Sequence, residues 1–194
     1  MLKRALDHLL TNVLPAAHDY DQAEVAPSNV FTATGEDRIK CRVEADAAKR
    51  RAADVAIAID GLADRAANAL GTTANTIRAQ VSALCSIDYT LRAGCIDRVC
   101  AVANAYKHDE LDDPKHPIHS DDDVLVIGAG FGIDSFGSGK FGGIEVMIHQ
   151  KDGHQRKFLA DVPYAISGWF GFLKQHGMQL PSEEVIVCGM NVNK

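Results

Sequence analysis

The sequence predicts an α+β fold: an N-terminal up-and-down four-helix bundle, then a small antiparallel glycine-rich β-sheet and a C-terminal helix. Three observations lead to it. Apolar residues recur at helical spacing up to about Leu111, the period falls to two over Ile144–Ile148, and helical spacing returns over Pro163–Gln175. With 194 residues and 46% hydrophobic content, the chain can bury one substantial core or two small ones.

Leu6, Leu9, Leu10, Val13, Ala17 and Tyr20 share one helical face, so residues 2–26 read as a first helix kinked near Pro15, which Pro27, Ser28 and Asn29 should end. The second helix should start after Thr34-Gly35, with Thr34 as cap, and stop at Gly71. Its stripe of Ala48, Ala52, Val55, Ile59, Leu62, Ala66 and Ala69 is made of small residues, which implies a closely packed neighbour. Lys49-Arg50-Arg51 is the densest basic cluster and reads as a solvated helix face. A third helix is expected over about Ala74–Ile87. A fourth is expected over about Tyr89–Leu111, buried through Val99, Val102, Ala103 and Tyr106. This divides the chain into a bundle (1–112), a linker rich in Asp, Pro and His (113–123), and a β-hairpin section with a helix (124–194) packed on the bundle.

In the last section Val124–Ile127 and Ile144–Ile148 read as strands, Lys151–His154 as a turn, and Phe158–Val162 as the returning strand. The helix after Pro163 has Asp161 near its cap, buries Trp169, Phe170 and Leu173, and ends at Gly177, with an edge strand at Val185–Val187.

Charge and composition narrow the function. The net charge is −6, shared equally by the two halves: 13 Lys and Arg against 16 Asp and Glu in residues 1–112, 7 against 10 in 113–194. That balance argues against general affinity for nucleic acid or anionic membranes and confines any RNA surface to a local patch. No stretch approaches the roughly 18 apolar residues of a membrane span, and the N-terminus lacks the apolar run of a secretory signal. Cys41, Cys85, Cys95, Cys100 and Cys188 are odd in number and form no C-x-x-C pair, so they read as thiols in a reducing compartment, and the cytoplasm is the expected address.

Candidate motifs sort by whether their local structure suits the chemistry. Gly128, Gly130 and Gly132 follow a strand, as in a dinucleotide fingerprint, but eleven glycine-rich residues replace the helix whose N-terminus would hold a pyrophosphate. The segment reads as a β-hairpin region, and no cofactor is expected. His116, His119 and Asp121–Asp123 have metal-ligand chemistry but no rigid spacing, so no metal is expected. The remaining constellation is Asn104, Lys107 and His108 on the fourth helix, where Asn104 and His108 are i,i+4 neighbours pointing away from the apolar stripe. An amide, an ammonium and an imidazole together suit phosphate binding and proton transfer near neutral pH.

The segment Ala103-Asn104-x-x-Lys107-His108 resembles the motif of the HEPN superfamily, helical-bundle proteins that include many metal-independent ribonucleases, and the helical likeness covers roughly residues 2–111. The chain also resembles a group of bacterial and phage-associated proteins with an Asn-Ala-x-Lys-His helix followed by a glycine-rich hairpin. The resemblance implies His108 as general acid/base on an RNA 2′-hydroxyl, Asn104 as an orienting group, and Lys107 in place of the motif's arginine, which is Ala103 here. Arg98 lies about 15 Å from His108 along the helix axis, too far to substitute. The resemblance also implies pairing of two such motifs across a homodimer, to which the small-residue seam adds a physical motive. Two readings follow: a non-enzymatic interaction module with a phage- or stress-response role, its protein partner unknown, or a metal-independent RNA-processing or RNA-binding protein using His108.

Overall fold

The computed structural model describes residues 2–34, 38–108, 110–111, 113, 116–127 and 145–194, with backbone alone for 25–34, 38–41 and 127. The glycine-rich segment expected to form a hairpin region falls at 128–143, outside the described residues.

Helix α1 (Lys3–His8) runs through a π-turn (Leu9–Val13) into α2 (Leu14–Thr34). Pro15 explains the irregularity. It has no N–H, and its ring would strike the carbonyl four residues back; the wider turn, in which the Leu14 N–H donates to Leu9 O, relieves both. The stop expected at Pro27, Ser28 and Asn29 does not occur, because the backbone stays helical to Thr34. Proline forfeits one intrahelical bond but its fixed φ suits a helix, and packing of α2 along α3 outweighs the loss.

Helix α3 (Arg38–Leu70) stops at Gly71, which takes φ +66°. Its small-residue seam is buried from Ala48 to Ala66, and the close neighbours are α2 and α5 of the same chain.

The next two helices are shorter than expected. Helix α4 (Ala74–Ser82) is capped by Thr73, whose hydroxyl accepts from the Thr76 N–H at 3.2 Å. Then β1 (Ser86–Ile87) and β2 (Thr90–Leu91) form a hairpin, so the third helix does not reach Ile87 and the fourth does not begin at Tyr89. Helix α5 (Cys95–Ala105) starts after Gly94, at φ +72°, where an added Cβ would sit 2.9 Å from a guanidinium nitrogen of Arg98. It ends at Ala105 rather than Leu111. Lys107 and His108 are therefore in the turn beyond it.

Strands β3 (Val124–Ile127), β4 (Glu145–His149) and β5 (Gln155–Lys157) form an antiparallel sheet in that order, with the turn at Lys151–His154. The returning strand lies earlier than Phe158–Val162 because α6 (Asp161–Gln175) already starts at Asp161. Helix α6 buries Trp169, Phe170 and Leu173 and is followed by Gly177 at φ +73°. Strands β6 (Ile186–Val187) and β7 (Met190–Asn191) close the chain as a second two-residue-turn hairpin.

One continuous core joins the helical and β parts, because α6 packs on both α4 and α5. Gly168 permits that approach: a Cβ there would lie 2.6 Å from Cys85 Sγ and 3.0 Å from the Val81 carbonyl oxygen. The linker is tied down as well. Leu111 N–H donates to His119 O at 2.7 Å, Lys151 N–H to Pro117 O at 2.7 Å, and the Asp123 carboxylate accepts from the His119 N–H at 2.6 Å. Among the described residues no helix is long and apolar enough to cross a membrane.

The α5–α6 junction is held by Asp161, which is fully buried. Arg98 grips it with two bonds, Nε to Oδ2 at 2.7 Å and a terminal nitrogen to Oδ1 at 2.8 Å, and Arg92 donates to Oδ1 as well. Removing the carboxylate leaves buried Arg98 uncompensated, so Asp161→Ala should lower unfolding free energy by about 3–5 kcal/mol in urea titrations. His8 gives a pH signature. Its partly buried ring lies 2.9 Å from the Ala58 carbonyl oxygen. Burial, reinforced by nearby Arg65 and opposed by the Ala58 bond, holds its pKa below the ordinary value. The folded state therefore binds this proton less readily than the unfolded state. The His8 contribution is complete above the unfolded pKa of about 6.5 and is lost as pH falls below it. Urea midpoints should drop more between pH 7 and pH 5 in wild type than in His8→Asn.

Candidate functional site

Asn104, Lys107 and His108 lie where α5 ends against α3, and their geometry separates them. Asn104 is on the last turn of α5, and its carbonyl oxygen accepts from the backbone N–H of both Lys107 (3.0 Å) and His108 (2.9 Å). Its side-chain amide donates to Cys100 Sγ at 3.5 Å. Lys107 is itself exposed, and its Nζ donates to Asp60 Oδ2 at 3.0 Å. His108 is exposed. The structure thus brings the three backbones together but gives the side chains different surroundings.

Asp60 organises this corner. It lies on α3, its side chain is 4% exposed, and its Oδ1 accepts from Arg78 Nε (3.1 Å) and from a terminal Arg78 nitrogen (2.7 Å). One carboxylate therefore ties α3 to α4 through Arg78 and to the end of α5 through Lys107. Burial and the nearby Asp60 charge push the Cys100 thiol up to about 12, so it stays protonated at neutral pH. Space beside Asp60, Arg78 and Cys100 amounts to about 10 Å³, too little for a substrate. Nothing in the spacing around Lys107 announced Asp60, which is 47 residues away; its one sequence sign was an acid inside the apolar run Ala58-Ile59-Asp60-Gly61-Leu62.

Two open features lie outside that corner. A broad groove of about 510 Å³ follows α3 and is lined by Arg50, Arg51, Asp54, Ile57 and Tyr106. The Tyr106 ring stands 5.9 Å from Lys49 Nζ, while Arg51 pairs with Asp54 at 3.2 Å, so the basic cluster is partly neutralised. The other feature is the β1–β2 hairpin. Its turn residues Asp88 and Tyr89 take φ +47° and +64°, and Tyr89 is fully exposed. Lys194 reaches Asp88 at 3.7 Å and brings the end of the second hairpin to the turn of the first. Leu91 and Ile186 add exposed apolar surface, at 56% and 57% exposure.

Among the described residues no group of three or more His, Cys, Asp or Glu is arranged to hold a metal ion. Compared with family models, curated proteins and solved structures, the chain matches none.

If Lys107 serves as a tie to Asp60, its loss should register in stability. Lys107→Met should cost about 0.5–1 kcal/mol, and Asp60→Ala, which strands Arg78 as well, about 1–3 kcal/mol. A double-mutant cycle on urea unfolding measures the coupling. Unchanged stability in Lys107→Met would show that the ammonium is not structural.

Proposed function

We propose that the protein is a non-enzymatic interaction module that presents the Tyr89 hairpin to a partner. One observation carries the reading: an aromatic residue sits fully exposed in a turn conformation that penalises it. Two-residue hairpins of this kind favour Asn-Gly or Asp-Gly, because both central residues need positive φ. Tyrosine at the second position costs backbone strain and leaves a large ring in water, with no compensating contact inside the chain. Such strain persists where an external contact uses the side chain. The engagement of Lys107 with Asp60 and of Asn104 with Cys100 supports the non-enzymatic character.

The partner to which this reading commits is a second copy. Tyr89 and Leu91 on the first hairpin and Ile186 on the second are exposed aromatic and apolar side chains available for a two-fold contact, and Lys194, beyond the second hairpin, reaches Asp88 in the turn of the first. A cytoplasmic address and a phage- or stress-response role belong to the same proposal; the address is supported by the described cysteines, Cys85, Cys95, Cys100 and Cys188, all of which are thiols.

The second reading, RNA binding or metal-independent processing through His108, is favoured by the α3 groove. It offers Arg50, Arg51 and a tyrosine ring two residues from the exposed imidazole, a combination that suits a single-stranded nucleic acid.

Sedimentation velocity and an RNA assay separate the two. The interaction reading expects a dimer at micromolar concentration that Tyr89→Ser converts to monomer, and no cleavage of single-stranded RNA in EDTA. A monomer up to on the order of 100 μM sinks the self-association. Cleavage that disappears in His108→Ala, with unchanged melting, would establish the RNA reading instead.

A further inference from the structure

Helix α3 has a second face, turned away from the core. Val43, Ala47, Arg50, Asp54, Ile57 and Gly61 follow one another in steps of four and three, which at about 100° per residue keeps them within about 40° of one line along the helix. From Val43 to Gly61 that line runs through about five whole turns, so it does not drift around the helix, and it is about 27 Å long. None of the six residues is buried. Val43 is 58% exposed and Ile57 37%, so two large apolar side chains face water on a helix whose opposite face is the core.

The charges on this line are incompletely matched within the chain. Arg50 makes no hydrogen bond or ion pair among the described residues. Asp54 meets Arg51 at 3.2 Å through one oxygen, Oδ2.

We infer that this face of α3 is a docking surface for the same face of a second copy, running antiparallel. With the two-fold axis level with position 52, Arg50 meets the partner's Asp54, Ala47 meets the partner's Ile57, and Val43 meets the partner's Gly61. Symmetry makes each contact twice. A base thus faces an acid, and each large apolar side chain faces a small residue. The α3 groove of about 510 Å³, which Tyr106 also lines, receives the partner's Ile57 beside Ala47 and Ala53. Arg65 is exposed and bonded to the Gly61 carbonyl oxygen at 2.7 Å; it lies over Gly61 and swings out as the partner's Val43 arrives. The same residues disfavour a parallel arrangement, which would set Arg50 against the partner's Arg50 and Asp54 against the partner's Asp54. One helix face of this length makes a small interface with its charge pairs near solvent, so the association is weak, with Kd between about 100 μM and 1 mM. It is separate from the Tyr89 contact. Chains that make both assemble beyond dimers as concentration rises.

The test is sedimentation equilibrium of the full chain carrying Tyr89→Ser, at up to about 1 mM, so that the outcome does not depend on the Tyr89 contact. This parent is expected to dimerise in the range given. Arg50→Asp and Asp54→Arg, each added to it, set like charges face to face and should each weaken dimerisation at least about tenfold. Mixed one to one, the two variants offer an acidic face to a basic one and should form a heterodimer at least as tight as the parent dimer. The chain carrying both substitutions should dimerise like the parent. Ile57→Glu leaves the charge pairs intact and should also weaken dimerisation at least about tenfold. All these positions are exposed, so the variants should melt close to the parent, and rescue in the mixture cannot come from a misfolded chain. A parent that stays monomeric to about 1 mM, single variants that associate like the parent, or a mixture of folded variants that stays monomeric overturns the interface. Saturable binding of single-stranded RNA to a chain that stays monomeric, lost in Arg50→Asp, would assign the groove to nucleic acid instead.

Discussion

The grip of two arginines on Asp161 is the constraint on which the arrangement of the rest depends. A carboxylate with no exposure is tolerated only when its charge and lone pairs are met, and Arg98 does this with a two-bond fork of the kind lysine cannot make. Arg98 comes from α5 and Arg92 from the strand–helix connection before it, while Asp161 opens α6. The three residues therefore fix where α6 begins and how it faces α5. Seven residues on, Gly168 must meet Cys85 and Val81 at distances that exclude a Cβ, so a small shift of the α6 start would be felt directly in the core.

The same device recurs at other junctions. Asp60 joins α3 to α4 and to the chain after α5. Glu24 joins α2 to β4, where its acceptance of the Val146 N–H satisfies a strand group that would otherwise be buried bare. Among the described residues four of the five buried polar or charged ones are acids, and their partners are guanidinium or ammonium groups, a hydroxyl or a backbone N–H. An acidic protein thus places part of its negative charge inside, where each charge acts as a joint between elements. Joints of this type specify alignment more than they add stability, because desolvation offsets much of the attraction.

Helical period made the long elements legible. The α3 seam, the end at Gly71, and the burial of Trp169, Phe170 and Leu173 all follow from spacing and one glycine each. The errors have local causes. Pro27 signals a stop only if propensity decides, and packing on α3 decides instead. The β1–β2 hairpin was invisible because its turn is Asp88-Tyr89 rather than a glycine pair. That hidden hairpin moved the start of α5 to Cys95, and the early end of α5 put Lys107 and His108 in a turn. Arg98 was read as an arginine too distant from the motif, whereas its partner is 63 residues away in sequence. Glu145 fits the alternation of a half-buried strand, but β4 is buried on both faces, and only the three-dimensional arrangement shows an acid enclosed there.

Polar residues gathered on one helix face indicate a site only when their chemistry remains unspent. Lys107 donates to Asp60, and Asn104 donates its amide to the Cys100 thiol. The groups that meet that condition break a local rule and receive no compensation within the chain. Tyr89 holds a left-handed backbone conformation with its ring in water, and Glu145 Oε2 is desolvated without a donor. Elsewhere in this fold, strain and buried charge are answered by a partner: Pro15 by a π-turn, Asp161 by two guanidinium groups, Glu24 by a strand N–H. Among the described residues the buried Tyr106 hydroxyl joins Tyr89 and Glu145 Oε2 as a group without such an answer, in a fold whose local rules otherwise agree.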